Sequence, residues 1–274
     1  MTVSFTLLLL SGAAYFLGFL FHGLAFSGWL EKGNRPAFIA LRIGFLLSTF
    51  YFTAQAMEQG FFLPVMNLSQ ALAFFAWSLA FVYLVLLVKA QSDSFGLILT
   101  PMLAGMIAAS LLSFHLKTKP LPLLVNPFFT IHIVSAFFAY ASFTISFGAG
   151  ILYLIQHHEL KTRHAGTFYH KLPSLEELEK LIYQPMSWGA CLLLAAVGIG
   201  FMWSKSAYGE YWIFDPKTIA TSVIALLYVA IVYLRAMTSL RGKQVALLSL
   251  AAFVLVLFNF VGTRFIQGSH NFLQ

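Results

Sequence analysis

The chain has 274 residues, of which 60% are apolar and 9% charged, with a formal charge of +7 and a mean hydropathy of +0.85. Globular proteins carry roughly 45–50% apolar and about 25% charged residues, so a water-soluble fold is excluded. The basic residues are scattered through short loops, which argues against nucleic-acid binding, and Cys191, the only cysteine, rules out a disulfide framework, a CxxC pair or a CxxCH motif.

Hydropathy and breaker residues predict an all-α, polytopic transmembrane helix bundle of about eight spans, at 4–27, 38–57, 68–88, 95–113, 128–155, 184–203, 219–238 and 245–263. The first, within MTVSFTLLLLSGAAYFLGFLFHG, lacks a basic n-region and reads as a retained span rather than a cleaved signal peptide. Polar breaks follow at 28–37, at 58–67 and at 114–127, the last with Lys117, Lys119 and three prolines. The longest, 156–183, is the only substantial polar segment. Its SLEELEKLIY stretch (174–183) repeats apolar residues at helical spacing after Pro173 and predicts a short amphipathic helix on the membrane surface. The whole of 1–274 reads as one integral membrane domain.

Eight spans put both termini on one side. Eleven of the sixteen Lys and Arg then fall on one face, and Lys117, Lys119, Lys205, Lys217 and Arg264 on the other. The positive-inside rule makes the richer face cytoplasmic and both termini extracytoplasmic.

The outer loop between spans six and seven, WSKSAYGEYWIFDPKT (203–218), places Trp203, Tyr208, Tyr211, Trp212 and Phe214 within twelve residues, among Lys205, Glu210, Asp215 and Lys217. Two readings are open: an interfacial aromatic belt, or an exposed apolar platform for a large planar ligand. His132, near the outer end of span five behind an Asn126–Pro127 helix start, and His270, in the outer tail GTRFIQGSHNF, lie on the same face. Each reads alone as a polar interfacial residue; together they have the chemistry for both axial positions of a haem iron.

The loop AYGEYWIFDPKT resembles the tryptophan-rich (WWD) signature of the cytochrome c assembly family, approximately WGxYWxWDPKE. Gly209, Tyr211, Trp212, Asp215, Pro216 and Lys217 fit, while Tyr208, Phe214 and Thr218 stand for Trp, Trp and Glu. Segments 67–84, 132–156, 172–183 and 241–265 also resemble CcsA-type sequence. The resemblance implies that His132 and His270 are axial ligands to non-covalent haem b held outside the membrane, with Tyr208, Tyr211, Trp212 and Phe214 as the platform, beside Asp215. Lys217, Lys205 and Arg264 would then answer the propionates. It further implies a CcsB/ResB-like membrane partner, apocytochrome c as recipient of the haem, and thiol-reducing proteins, because this chain has no thiol pair. The setting is a cell inner or plasma membrane. HemX-like relatives imply a second reading, a membrane regulator of haem biosynthesis acting on glutamyl-tRNA reductase.

The chain departs from the family pattern at one point. A further histidine usual in span seven, in a YLHxR-like segment, is Tyr233 here, within YVAIVYLR. His22, an intramembrane ionisable residue toward the cytoplasmic end of span one, is the candidate to replace it. His157, His158, His164 and His170 fall in the charged cytoplasmic loop at no zinc-motif spacing, and His115 sits peripherally outside.

Overall fold

A computed structural model describes residues 3–30, 34–60, 63, 65–87, 95–114, 126–162, 171–211 and 216–262. Among these there are helices and no strands. The order is α1 (Val3–Ser27), α2 (Arg35–Gln59), α3 (Leu68–Leu87), α4 (Gly96–Leu112), α5 (Pro127–Thr162), α6 (Leu175–Tyr208), α7 (Pro216–Met237) and α8 (Lys243–Gly262). Hydrocarbon offers no partner to a backbone N–H or C=O, so apolar runs of this length close their hydrogen bonds internally as helices. Six of the helices are long and apolar enough to cross a membrane; α4 and Lys243–Asn259 of α8 are shorter apolar helices.

The helices form two compact units. In the first, α1 packs on α2 and α4, and α3 packs on α4 and α2. Close approach depends on Gly44 of α2, where a Cβ would stand 2.7 Å from the ring of Tyr15 on α1. Tyr15 is fully buried, with its hydroxyl 3.3 Å from Ser48 Oγ. Helices α3 and α4 are joined reciprocally: Ser69 Oγ donates to the Ser110 carbonyl at 2.8 Å, and Ser110 Oγ to the Ser69 carbonyl at 2.7 Å. Such hydrogen bonds hold helices together where lipid removes the hydrophobic drive to associate. Lys171, from the segment before α6, belongs to this unit. It donates to the Phe26 carbonyl and lies 4.9 Å over the Phe26 ring, placing a cation at the C-terminus of α1.

In the second unit α5 packs along α6 and α8, and α7 packs on α6 and α8. The Phe143 and Tyr228 rings stack at 3.6 Å between α5 and α7, while Gly189 of α6 makes room: a Cβ there would stand 2.5 Å from Phe143. At one end of the unit, Glu179 of α6 gathers two other helices. Its Oε1 accepts from Arg235 at the end of α7 (3.5 Å) and its Oε2 accepts from the Gly242 N–H before α8 (3.2 Å). The Arg235 guanidinium lies 4.1 Å over Tyr183.

Two boundaries differ from the sequence expectation. Residues 174–183 are not a separate surface helix but the opening turns of α6, which continues through Pro185 to Tyr208. Ser174 starts it with a capping box: its Oγ accepts from the Glu177 N–H, and the Glu177 carboxylate accepts from the Ser174 N–H. Pro185 withholds one helix hydrogen bond and is itself buried, so packing retains a helix that proline weakens. Helix α5 likewise runs to Thr162 rather than 155. At 1.5 Å per residue both helices are roughly 50 Å long, well beyond the ~30 Å hydrocarbon core, and therefore extend past it.

Candidate functional site

The site is built where α5 begins and α6 ends. Asn126 caps α5: its Oδ1 accepts from the Phe128 N–H at 2.9 Å, and Pro127 occupies the first helical position, where a missing N–H costs nothing. The same side chain donates through Nδ2 to Ser206 Oγ on α6 at 2.8 Å. One turn further in, Phe129 meets the buried Trp203 with ring centroids 5.1 Å apart. Cap and ring pair thus register the first turn of α5 against the last turns of α6.

That register puts His132 across the backbone of α6. Its Nδ1 lies 2.7 Å from the carbonyl oxygen of Ala196. A carbonyl only accepts, so Nδ1 carries the proton, and in the neutral ring the lone pair is on Nε2. The ring fits because residue 200 is glycine: a Cβ there would stand 3.0 Å from Nδ1 and 3.1 Å from Cε1 of His132.

Helix α6 stops at Gly209, whose φ of +82° is the left-handed conformation that closes helices, with its N–H on the Lys205 carbonyl. The chain then turns back: Ser204 Oγ donates to the Glu210 carbonyl at 2.9 Å, and Lys205 Nζ lies 4.7 Å over the Tyr211 ring. Tyr208 packs edge-on against Trp203 yet is 40% exposed, and Tyr211 is 59% exposed. Lys217 follows in the first turn of α7, half-buried. Nearby, Asn259 of α8 donates to Thr221 of α7 at 3.0 Å, so α8 runs toward this same end of the unit.

His132, Tyr208, Tyr211 and Lys217 therefore all belong to one end of the second unit. Trp212, Phe214, Asp215, Arg264 and His270 lie outside the described residues. His22 belongs to the first unit: it is 1% exposed, its Nδ1 is 2.8 Å from the Gly18 carbonyl, and it meets Phe38 edge-on. A Cβ on Gly96 would collide with its imidazole. Tyr233 is 60% exposed on α7. Among the described residues no cluster of three His, Cys, Asp or Glu could hold a bare metal ion.

Sequence reasoning missed Gly200, the Ala196 carbonyl and Ser206. The one signal available was the concentration of small residues, Ala195, Ala196, Gly198 and Gly200, within one stretch of the sixth expected span.

Comparison with known proteins places this architecture. The family described as cytochrome C assembly protein matches residues 65–270. Protein HemX of Brevibacillus brevis is 30% identical over 236 residues, covering 85% of each chain. Cytochrome c biogenesis protein CcsA of Guillardia theta is 27% identical over 290 residues, covering 98% of this chain and 94% of its own. Among solved structures, cytochrome c heme lyase CcmF superposes with a TM-score of 0.64 at 18% identity, over 96% of this chain. The chain spans 49% of that protein's length, and the likeness is one of fold. An all-helical chain with six membrane-length helices, matched by the family over three quarters of its sequence, is a multi-helix membrane protein belonging to the cytochrome c assembly family.

Proposed function

We propose that this protein holds haem b, non-covalently, at the outer face of the membrane and presents it for attachment to apocytochrome c. The observation that carries the reading is His132, whose Nδ1–H is fixed on the Ala196 carbonyl. Histidines that ligate iron characteristically donate the other ring N–H to such a partner, which orients the ring and raises its basicity. The surroundings suit a porphyrin: two exposed tyrosine rings, Tyr208 and Tyr211, offer flat apolar area, and Lys205 and Lys217 offer cations to propionates.

In this reading His132 and His270 would supply the axial ligands of the iron. Tyr208, Tyr211, Trp212 and Phe214, with Asp215, would form the aromatic support for the porphyrin, and Arg264 would join the lysines as a cation for its propionates. The chemistry supplied by the bound group is addition of a cysteine S–H across a haem vinyl C=C, which forms a C–S and a C–H bond. This chain positions the reactants for it. It contains no thiol pair, so thiol-reducing proteins keep the cysteines reduced, and a CcsB/ResB-like membrane partner completes the synthase. All eight helices cross the membrane, with both termini and the 203–218 loop extracytoplasmic and the 156–183 segment cytoplasmic.

The test is the visible spectrum of protein purified in detergent, oxidised and reduced, beside His132→Ala and His270→Ala. The expected result is a six-coordinate haem spectrum that each substitution alters or abolishes. A haem-free wild type from haem-replete cells would overturn the reading.

A second reading follows from the 30% identity to HemX: a membrane regulator that controls the level of glutamyl-tRNA reductase. Deleting the gene separates the two. Loss of c-type cytochromes at unchanged reductase level supports haem presentation; a changed reductase level with normal cytochromes supports regulation.

A further inference from the structure

We propose that Gly200 and the Ala196 carbonyl form a main-chain seat for the His132 ring, which fixes its protonated edge and sets the redox poise of the haem that the ring ligates. The inference rests on the haem reading above and adds two positioning residues, neither of which touches haem.

Glycines in these helices serve different ends, and Gly200 abuts an imidazole in the second unit as Gly96 does in the first. At Gly150 and Gly189 an added Cβ would meet Leu250 and Phe143, apolar side chains of neighbouring helices, which is ordinary close packing. At Gly198, one α6 glycine away, nothing lies within 4 Å. At Gly200 the three nearest atoms are Nδ1, Cε1 and Cγ of His132, at 3.0, 3.1 and 3.9 Å. The missing Cβ is therefore spent on the imidazole. The ring uses that space to reach Ala196, one helical turn back along the same face, at 2.7 Å.

The acceptor has a chemical consequence. An imidazole whose Nδ1–H is held by a carbonyl donates more strongly through Nε2. A stronger donor favours the ferric over the ferrous state, so the seat lowers the midpoint potential of the bound haem. Gly200→Ala forces the ring off by a few tenths of an ångström and stretches the bond, with the opposite effect. The two tautomers of a neutral imidazole are close in energy, so weakening one hydrogen bond shifts their ratio by up to roughly tenfold.

The experiment uses the full chain, labelled with 15N-histidine, in detergent micelles. The nitrogen shifts of His132, assigned by their loss in His132→Ala, report which nitrogen is protonated in haem-free protein. Midpoint potentials are then measured on haem-loaded protein. Expected are an Nδ1-protonated His132 in the wild type, a shift toward the Nε2-protonated tautomer in Gly200→Ala, and a raised potential in that variant. Gly198→Ala is the control and leaves both quantities unchanged. A wild-type His132 protonated at Nε2 overturns the proposal even if Gly200→Ala does not fold, as does a Gly200→Ala potential equal to wild type. Failure of the haem reading is distinct: the wild type would take up no haem, whatever its tautomer.

Discussion

His22 and His132 show how the same side chain is used in two ways. His132 leans on a carbonyl of another helix at the end of the second unit that carries the exposed Tyr208 and Tyr211, whereas His22 bonds back to its own helix at Gly18 and is enclosed by Phe38 and Gly96. Intramembrane histidine is by default a functional candidate, but this ring fills a slot. His22→Ala is expected to lower the thermal unfolding midpoint in detergent while haem absorbance stays at the wild-type level; a haem-deficient but equally stable variant would reverse that assignment. Gly44 gives a second prediction. Tyr15 is fully buried and close to Ser48, so it has nowhere to move when a Cβ arrives at 2.7 Å. Gly44→Ala should cost about 1–3 kcal/mol through overpacking, whereas Gly105→Ala in α4, with nothing within 4 Å, should gain a few tenths to ~1 kcal/mol from helix propensity. Parallel thermal melts compare the pair directly.

Among the elements, α6 does the most. It begins with a capping box, passes through Pro185, presents Ala196 and Gly200 to His132, and ends in the turn that carries Tyr208 and Tyr211. Near its start, Glu179 ties the end of α7 to the start of α8. The carboxylate is largely shielded, and its loss leaves Arg235 and the Gly242 N–H without their acceptor. Glu179→Ala should destabilise by about 1–3 kcal/mol, the usual cost of leaving a partly buried partner unsatisfied, and Glu179→Gln, which keeps an acceptor oxygen, by less. The exposed Glu176–Lys180 pair at 2.8 Å is a contrast: breaking it should leave the melting temperature nearly unchanged. Equal melts for Glu179→Ala and Glu176→Ala would refute a clasp at Glu179.

For the whole molecule, the proposed orientation is open to direct test. On a Cys191→Ser background, a single cysteine at 217 should react with an impermeant thiol reagent added to intact cells, and one at 243 only after the membrane is opened. Much of the helical architecture is legible in the sequence, because lipid leaves an apolar run no alternative to a helix, and the eight expected segments coincide with the eight helices among the described residues to within a few residues at most ends. The continuity of α6 was not, since Pro185 and the polar 174–183 stretch read locally as a break and tertiary packing decides otherwise. The sequence places the end of the fifth span at 155, short of Thr162, because charge marks the membrane boundary and not the helix end. Asn126–Pro127 announced a helix start correctly; the partner of His132 announced nothing, because it is a peptide oxygen and has no letter of its own. This affects what genetics will find. Every amino-acid substitution at 196 preserves the acceptor, so a screen for lost function reports the packing of that buried side chain and never the oxygen. Weakening that oxygen calls for a change in the polymer itself, an ester in place of the amide between residues 196 and 197.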